Sequence, residues 1–256
     1  MGRIITIANQ KGGVGKTTTA INLAACLAEA GQHVMLVDFD PQGNASSGLG
    51  VETGDYEHTV YDMMAEEAEL DECLVKNIQD NLDVLPSDMN LAGAEIEFQE
   101  VENKETLLKR YLDKVRDDYD FILIDCPPSL NILTINALTA ADTVLVPIQC
   151  EYYALEGLNQ VLKTVELVKR KLNPQLELEG VVFTMYDART NLSLQVVESV
   201  KNNLNQTIYK TIIPRNVRLA EAPSHGMSIN LYDTRSTGAE SYRMLAAEVM
   251  SRGEEL

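Results

Sequence analysis

Tryptophan is missing from this chain of 256 residues, and aromatic side chains make up only 5% of it. Hydrophobic residues nevertheless account for 45%, so we expect a sizeable core of aliphatic side chains. No apolar run approaches the ~20 residues that a membrane-spanning helix needs. The first residues also lack the basic flank and long apolar stretch of a secretory signal peptide. At this length the chain fits one large domain, residues 1–256, better than two small ones.

Cysteine pairs at the spacing of a metal or redox motif are missing as well. The cysteines and histidines are dispersed along the chain as Cys26, Cys73, Cys126, Cys150, His33, His58 and His225. This spacing argues against a disulfide framework and against a zinc site, and it favours a reducing cytoplasm as the compartment.

Positive charge is scarce, since 21 Lys and Arg against 39 Asp and Glu give a formal net charge of −18. Such a balance ordinarily disfavours nucleic-acid binding. The charge is unevenly distributed, however. Residues 1–128 carry 9 basic and 25 acidic side chains, a balance of −16, whereas residues 161–218 carry 9 basic and 5 acidic ones, a balance of +4. On charge alone, scatter over solvated helix faces explains this basic stretch better than a binding surface does.

Apolar strand-like runs alternate with amphipathic helical stretches. The predicted strands are Arg3–Ala8, His33–Asp40, Asn81–Ser87, Asp120–Pro128, Thr143–Gln149, Leu178–Tyr186 and Gln206–Pro214. The predicted helices cover about residues 16–30, 60–74, 88–98, 104–117, 153–172, 190–204 and 238–252, and residues 41–58 are expected to form a mobile loop. This alternation predicts a single-domain α/β fold, in which a doubly wound, mostly parallel sheet carries helices on both faces.

A glycine-rich loop follows the first predicted strand. Gly12–Thr17 fits the phosphate-loop spacing G-x-x-x-x-G-K-S/T, except that Gln10 stands where the first glycine belongs and a second lysine, Lys11, comes directly after it. Glycines allow successive backbone N–H groups to converge on phosphate oxygens, and the helix that follows adds its positive end. In this pattern Lys16 bridges phosphates and the Thr17 hydroxyl ligates Mg²⁺.

Acidic residues end two of the predicted strands. Asp38 and Asp40 close one apolar run, and Asp125 closes another. An unpaired carboxylate at the tip of a buried strand is costly, so packing alone rarely selects it. Beside a phosphate loop, the three carboxylates predict a site for Mg²⁺ and the attacking water.

Five separated motifs carry a resemblance to a known family. The stretches "KGGVGKTT", "DFDPQGN" and "IDCPPS" resemble the deviant Walker A, or deviant phosphate-loop, ATPases of the ParA/MinD class. The stretches "TMYDARTNLS" and "IPRNVRLAEAPSHG" are similar to the ParA/Soj chromosome-partitioning ATPases within that class. The similarity runs from about Ile4 to the last helix. It implies a homodimer that closes around two ATP molecules with Mg²⁺.

The resemblance also implies roles for individual residues. Lys11 would contact the nucleotide held by the other subunit, and Gly12 would be small because the partner's loop approaches it. Asp40 would orient the attacking water, and Pro127 and Pro128 would open the second switch. The implied nucleotide contacts are Lys11, Gly12, Gly13, Val14, Gly15, Lys16, Thr17 and Thr18, with Pro214, Arg215 and Asn216 at the adenine. Thr17 and Asp125 would hold Mg²⁺, and Lys11, Lys16 and Asp40 would be the catalytic residues.

A DNA-binding role is implied by the resemblance as well. Arg189 and Arg218 match positions that relatives use to bind DNA without sequence preference, and Lys201 and Lys210 would widen the patch. The implied protein is a slow ATPase of the cytoplasm and nucleoid, stimulated by a ParB-type centromere-binding partner. The chain departs from the family at Met227 and Thr237, where relatives often carry Lys or Arg. Each missing charge would remove about one unit of salt slope.

Two other functions stay open at this point. A MinD-like, membrane-associated regulator of cell division needs a basic amphipathic C-terminal helix, whereas this chain ends on the acidic stretch "SRGEEL". Acidic side chains there would repel anionic lipid. A metabolic phosphate-loop ligase would need a substrate pocket that no motif indicates. The start of the chain at the first strand favours a chromosomal over a plasmid cargo.

Overall fold

One mixed sheet organises the chain. The computed structural model describes residues 2–52, 54–203 and 208–253. Its strands are β1 (Arg3–Ile7), β2 (Val34–Asp38), β3 (Val75–Gln79), β4 (Leu82–Leu85), β5 (Phe121–Asp125), β6 (Thr143–Gln149), β7 (Glu177–Tyr186) and β8 (Ile208–Pro214). They lie in the order β3-β4-β2-β5-β1-β6-β7-β8, and every pairing is parallel except β3 with β4.

Helices connect the strands and cover the sheet. They are α1 (Lys16–Glu29), α2 (Asn44–Gly48), α3 (Val60–Met64), α4 (Leu70–Cys73), α5 (Ala94–Glu97), α6 (Leu107–Val115), α7 (Ile132–Ala140), α8 (Ala154–Lys171), α9 (Asn191–Asn203), α10 (Val217–Glu221), α11 (Ile229–Tyr232) and α12 (Thr237–Gly253). Short 3-10 turns flank several of them, at Met89–Gly93, Phe98–Glu100, Lys104–Thr106, Arg116–Asp118 and Ala222–His225.

The sheet separates two hydrophobic cores. Successive side chains of a strand point to opposite faces, so Ile4 packs with Met35 in a core that α6, α7 and α8 complete. Ile5 packs with Leu36 in a second core that α1 and α12 complete. The predicted doubly wound, mostly parallel sheet with helices on both faces is therefore confirmed.

Besides the short helices α2, α10 and α11, one longer helix and one strand escaped the sequence pattern. The helix α7, "ILTINALTA", is buried over most of its surface, so it shows no polar face and no amphipathic period. The edge strand β3, "VKNIQ", is half exposed and antiparallel, and it contains Asn77 at a positive φ of 56°. An irregular edge of this kind breaks the alternation by which strands are recognised.

Three predicted segments differ in detail. The loop expected over residues 41–58 contains α2, so that expectation is wrong for residues 44–48. The helix expected over residues 60–74 divides into α3 and α4, each started by its own capping box, with Glu66 at a positive φ of 61° between them. The helix expected over residues 88–98 is mostly 3-10 turns around α5. Residue 204 of the predicted helix and residues 206–207 of the last predicted strand lie outside the described residues.

The sheet brings the carboxyl ends of its central strands together. Asp125 at the end of β5 is in register with Ile7 at the end of β1 and with Asp38 at the end of β2. The glycine-rich loop leaves β1 at this edge, next to the segment that follows β5, and the segment that follows β2 lies one strand further along. Within the part of the chain that the structure describes, no helix is long and apolar enough to cross a membrane.

Candidate functional site

The glycine-rich loop depends on left-handed backbone at two positions. Gly13 has φ +74° and Gly15 has φ +88°, values that side chains disfavour. Gly15 is the N-cap of α1, and its left-handed conformation turns the chain directly into that helix. The N-terminal end of a 14-residue helix therefore borders the loop, and unpaired N–H groups there favour an anion.

Side chains of the loop's first residues anchor it to β6 and α8. The Asn9 amide donates to the Pro147 carbonyl at 2.8 Å and accepts the Lys11 backbone N–H at 3.0 Å. The Gln10 amide donates to the Thr164 hydroxyl at 3.0 Å. A glycine at position 10 would lose the second anchor, which explains why this loop departs from the usual phosphate-loop spacing there.

A further hydrogen bond fixes the middle of the loop. The Thr184 hydroxyl, on β7, donates to the Val14 carbonyl at 2.7 Å. The Val14 side chain is buried, so this residue contributes backbone to the loop and packing to the core. A threonine inside the apolar run of β7 is the sequence signal that would have identified Thr184.

A cleft of about 610 Å³ opens over the loop and α1. Seven of the predicted site residues line it, namely Gly12, Gly13, Gly15, Lys16, Thr17, Thr18 and Asp40. The opposite wall was partly missed by sequence reasoning and comprises Pro41, Gln42, Asn44, Met89, Ala92, Pro127, Pro128, Ser129, Asn131 and Met185. The structure therefore places the segments after β2 and β5 around the same space as the loop.

Lys16 is the buried cation of this cleft. Its ammonium donates to the Lys11 carbonyl at 3.3 Å, and the residue is only 7% exposed. Burial lowers the pKa of Lys16, while the nearby charges of Asp125 and Asp40 act in the opposite direction. A desolvated ammonium with backbone N–H groups beside it is suited to bind phosphate oxygens.

The Asp38 carboxylate binds groups of its own chain and does not line the cleft. Its carboxylate accepts from the backbone N–H and the hydroxyl of Ser46, each at 2.8 Å, and from the Asp40 backbone N–H at 3.3 Å. Burial raises the pKa of Asp38 to about 6. These bonds tie α2 to the end of β2, so Asp38 holds the segment that carries Asp40.

Asp40 presents its carboxylate at the cleft wall. It is largely buried, and its carboxylate accepts the Gln42 backbone N–H at 3.0 Å. Its backbone carbonyl accepts from Gly43 at 2.9 Å, which closes a tight turn. The turn holds the side chain in one place beside the cleft.

Asp125 is buried with unsatisfied oxygens. Neither carboxylate oxygen makes a hydrogen bond with any of the described residues. Burial, and secondly the charge of Asp38, raises the pKa of Asp125 well above its usual range, while Thr17 and Lys16 act in the opposite direction. An orphaned carboxylate facing a threonine hydroxyl fits a hard divalent cation, which prefers oxygen ligands.

The three carboxylates do not form a metal cluster by themselves. Among the described residues no three His, Cys, Asp or Glu side chains are arranged to hold a metal ion. Asp38 and Asp125 have no exposed surface, whereas Asp40 lines the cleft. The sequence predicts one site for Mg²⁺ and water from all three carboxylates. Because the Asp38 carboxylate already accepts hydrogen bonds from Ser46, Asp40 and Asp125 remain as the candidates for that site.

Lys11 lies apart from the cleft that its loop borders. Its ammonium is 2.6 Å from the Glu151 carboxylate, and the side chains of Lys11 and Glu151 are 35% and 46% exposed. The Lys11 side chain therefore faces the rim and its own chain's carboxylate, whereas the carbonyl of the same residue faces Lys16.

A second cavity of about 250 Å³ adjoins the first. Pro214, Arg215 and Asn216, the residues implied at the adenine, line it, and Gly15, Thr18 and Met185 border both cavities. The Asn216 amide accepts the Arg218 backbone N–H at 2.8 Å and donates to the Thr237 hydroxyl at 2.7 Å. Its side chain thus holds the segment that lines the cavity. Thr237, which the sequence marks only by the charge it lacks, therefore helps to position Asn216.

Met185 is a cavity residue that sequence reasoning missed. It has φ +50°, which is strained for a side chain of this size, and it lies at a register irregularity between β7 and β8. No local sequence pattern predicts this left-handed backbone conformation. Tyr242 on α12 also lines the second cavity, and its hydroxyl is 3.2 Å from that of Thr19.

The two arginines predicted to bind DNA are exposed and internally paired. Arg189 is 85% exposed and makes a two-pronged contact to Asp187, at 2.8 and 2.7 Å. Arg218 contacts Glu221 at 2.8 Å and Asp233 at 3.4 Å. Lys201, Lys210 and Met227 are exposed as well. Arg189 follows β7 and Arg218 follows β8, so both belong to one end of the sheet.

Comparisons with known proteins cover nearly the whole chain. A model of the AAA domain family matches residues 2–178. The sporulation initiation inhibitor protein Soj of Bacillus subtilis strain 168 is 59% identical over 253 residues, covering 99% of this chain and 100% of that protein. The chromosome partitioning protein ParA of Myxococcus xanthus strain DK1622 is 52% identical over 252 residues, covering 98% and 89%. The structure of cobyrinic acid a,c-diamide synthase from Mycobacterium smegmatis, with bound ATP analogue and magnesium, has a TM-score of 0.88 at 37% identity, covering 99% and 96%.

Proposed function

The chain belongs to the Soj/ParA family of chromosome-partitioning ATPases, and from this premise we propose that it is an ATP-dependent dimerising switch. In this proposal residues 1–256 form one ATPase domain. The ATP-bound dimer binds DNA without sequence preference in the cytoplasm, at the nucleoid, and slow hydrolysis releases it. A ParB-type centromere-binding protein stimulates that hydrolysis.

One observation carries the proposal. The buried Lys16 ammonium, the orphaned Asp125 carboxylate and the cleft-lining Asp40 surround the N-terminal end of a single helix. A phosphate chain with a divalent cation needs these groups together, namely a cation for the phosphates, an anion for the metal and an acceptor for water. A glycine-rich turn that binds no ligand would gain nothing from burying these charged groups.

ATP and Mg²⁺ are the ligands that fit these groups. The related synthase structure binds an ATP analogue and magnesium. In this chain Thr17 and Asp125 would hold Mg²⁺, which supplies neutralisation of the phosphate charge when bound. The phosphates would lie against Gly13, Gly15, Lys16 and Thr18, and the base would enter the cavity beside Pro214, Arg215 and Asn216.

Hydrolysis requires a water molecule in line with the terminal phosphate. Asp40 would accept a hydrogen bond from this water, because its carboxylate faces the cleft and its backbone is fixed by a turn. Asp38 would act through Asp40 as a positioning residue, since it binds both Ser46 and the Asp40 backbone. Lys16 would stabilise the charge that develops on the phosphate oxygens.

Dimerisation would engage Lys11. Its backbone is held by Asn9, so only the side chain must turn to leave Glu151. A lysine that arrives from the other subunit offsets phosphate charge in the way that an arginine finger does. The nucleotide would then lie between the subunits, which makes assembly depend on the presence of ATP.

DNA binding would use Arg189 and Arg218, with Lys201 and Lys210 at the margin. Each arginine would exchange a carboxylate of its own chain for a DNA phosphate. Two subunits double a modest patch, which accounts for DNA binding by a chain of net charge −18.

A metabolic synthase is the second candidate, because the Mycobacterium smegmatis structure bears that name at 37% identity. A synthase turns over its substrate without DNA or a partner protein. The two functions therefore differ in whether the ATP-bound protein binds DNA.

The deciding experiment measures binding to a random-sequence DNA duplex with ATP and with ADP, across a salt series. The partition switch predicts binding with ATP alone that weakens steeply with salt. Equal binding with both nucleotides, or none with either, would contradict it. Vesicles of anionic lipid in parallel test the MinD-like alternative, which predicts ATP-dependent binding to lipid instead.

A further inference from the structure

Thr184 is a buried polar residue near the end of β7, directly after the apolar stretch Val181–Phe183. Burying a hydroxyl costs free energy unless the group makes a hydrogen bond, so packing alone does not explain a threonine at this position. The Thr184 hydroxyl donates to the Val14 carbonyl at 2.7 Å, although the two residues are 170 positions apart in the chain. The buried hydroxyl of β7 therefore binds the backbone of the glycine-rich loop.

This hydrogen bond holds the peptide that joins Val14 to Gly15. In a planar trans peptide the C=O and the N–H point in opposite directions. By fixing the direction of the Val14 carbonyl, the Thr184 hydroxyl also fixes the direction of the Gly15 N–H. Gly15 lines the cleft over the loop and α1, whereas Thr184 is not part of the lining of that cleft. The Gly15 N–H therefore points away from β7 and toward the cleft.

Without this hydrogen bond, the same peptide would have two orientations open to it. Glycine adopts positive and negative φ about equally readily, so Gly15 does not by itself resist a flip of the peptide before it. The buried Val14 side chain fixes the position of its own Cα atom, but not the rotation of the peptide that follows. Gly15 has φ +88°. The Thr184 hydroxyl is the side-chain group that selects this orientation over the flipped one.

We propose that Thr184 is a positioning residue for phosphate binding, and that its hydroxyl turns the Val14–Gly15 peptide so that the Gly15 N–H faces the phosphate oxygens. This inference rests on the proposed function, since it concerns the loop that would hold the phosphates of ATP. Backbone N–H groups that converge on an anion bind it best when they are oriented before it arrives. Thr184 acts through the loop and does not itself contact the phosphates.

An action of Thr184 on the base is the alternative, because Thr184 also lines the second cavity beside Met185 and Ile213. The geometry favours the loop, since the hydroxyl proton is already donated to the Val14 carbonyl. The two roles differ in which part of a nucleotide they affect. A ligand that has phosphates and no base therefore separates them.

The chain contains a matched control in Thr6. The Thr6 hydroxyl donates to the Ala137 carbonyl at 2.9 Å, and the residue is fully buried on β1. Both threonines thus make a buried hydrogen bond from a strand to a backbone carbonyl. Thr6 lines neither the cleft nor the second cavity. Thr6→Val therefore removes a hydrogen bond of the same kind outside the loop.

The experiment measures the dissociation constants of ADP and of inorganic pyrophosphate, each with Mg²⁺, by isothermal titration calorimetry. Thr184→Val keeps the volume of the side chain and removes the hydroxyl. It should weaken the binding of both ligands by the same factor, about 10- to 100-fold, which is the range for one lost hydrogen bond to a charged group. Thr184→Ser keeps the hydroxyl and should bind both ligands nearly as well as the unaltered chain does.

The control variant separates the loop from general stability. Thr6→Val should leave both dissociation constants unchanged. In urea unfolding, Thr6→Val and Thr184→Val should lose similar amounts of stability, because each loses one buried hydrogen bond. Thr184→Ala, which also lacks the hydroxyl, takes the place of Thr184→Val if the latter does not fold.

The outcomes separate the inference from the proposed function. If the unaltered chain binds both ligands and Thr184→Val binds them equally well, the inference is wrong and the proposed function stands. The same holds if Thr184→Val weakens ADP alone, which assigns Thr184 to the base, or if the unaltered chain binds ADP but not pyrophosphate. A loss in Thr184→Ser or in Thr6→Val as large as in Thr184→Val would show that the hydroxyl does not orient the loop. If the unaltered chain binds neither ligand, the proposed function fails, and the inference fails with it.

Discussion

The Lys11 ammonium and the Glu151 carboxylate of the same chain are 2.6 Å apart, and both side chains are substantially exposed. Exposed ion pairs contribute only about 0–1 kcal/mol to stability, because solvent screens them. The Lys11 side chain is therefore held beside Glu151, yet it can leave this carboxylate at a small cost in free energy. A contact of this strength suits the change of partner that the proposed dimer requires of Lys11.

Lys11→Ala should abolish ATP-dependent dimerisation while leaving nucleotide binding to the monomer intact, since Lys16 remains in the cleft. Sedimentation with ATP analogue measures the first and fluorescence titration the second. Glu151→Gln is the contrasting variant. It releases Lys11 from its cis partner and should tighten the dimer by up to about 5-fold, the equivalent of ~1 kcal/mol. Intact dimerisation of the Lys11 variant would show that this lysine acts only within its own chain.

Gly12→Val tests how closely two loops approach. A Cβ atom at Gly12 would meet no atom of the described chain within 4 Å, and the residue has no left-handed φ. We therefore expect the variant to fold and to bind ATP as a monomer. Its dimer should be lost, because a branched side chain fills the gap that the partner's loop needs. A Gly12→Val protein that still dimerises with ATP would place the loops further apart than proposed. Equilibrium unfolding checks that the monomer is as stable as the unaltered chain.

Asp40→Ala should trap the ATP dimer. The variant removes the acceptor for the attacking water but leaves Lys16, Thr17 and Asp125 in place, so nucleotide still binds. We expect the turnover rate to fall by at least 100-fold, within the range for loss of a general base, and DNA binding with ATP to persist. Phosphate release measures turnover. Glu57→Ala, which removes an exposed carboxylate outside the cleft, serves as a control. Rapid hydrolysis by the Asp40 variant would assign water activation to another group.

Much of the fold could be predicted because local patterns and global packing agree. The apolar runs of β1, β2, β5 and β6 are buried on both faces, so they appear as continuous strands in the sequence. The helix α7 could not be found in this way, because burial removes the polar face that gives a helix its period.

The sequence predicts the parts of the site that come from local motifs. It does not predict the parts that depend on contacts between residues far apart in the chain. The glycine-rich loop and the acidic strand ends are adjacent in sequence to the strands that place them. The Lys11–Glu151 pair joins residues 140 positions apart, and the left-handed Met185 follows from no local signal. That Asp38 serves Ser46 and not the cleft becomes clear only from the packing of α2.

Asp125→Asn should stabilise the protein when Mg²⁺ and nucleotide are withheld. Its carboxylate is buried without a hydrogen-bond partner in the described chain, and burial raises its pKa well above the usual range. A carboxyl whose folded pKa is raised costs nothing below its unfolded pKa of ~4, and the cost grows as the pH rises toward the folded pKa. We expect Asp125→Asn to increase the free energy of unfolding by about 1–3 kcal/mol at pH 8, with the gap closing near pH 4. Urea unfolding with a chelator present measures this.

The same variant should lose the response to Mg²⁺. ATP with Mg²⁺ should stabilise the unaltered chain more than ATP alone, whereas the Asp125→Asn protein should show little difference between the two. Glu57→Gln is a control, since it removes an exposed carboxylate from the loop outside the cleft. An Asp125 variant that is less stable at pH 8 would show that its carboxylate has a partner that stabilises it.

Arg189→Gln should weaken the ATP-dependent binding of DNA about equally for all sequences. Each phosphate contact that is lost lowers the slope of log K against log salt by about 0.9, so a dimer should lose roughly two units. Asp187→Asn removes the carboxylate that Arg189 now contacts at 2.7 Å. It should strengthen DNA binding, because the guanidinium no longer has to exchange a partner. Lys76→Gln is the matched control, since Lys76 is exposed on β3, at the opposite edge of the sheet, and removes the same charge. If Lys76→Gln and Arg189→Gln lower the affinity equally, the effect comes from net charge and the DNA site does not include Arg189.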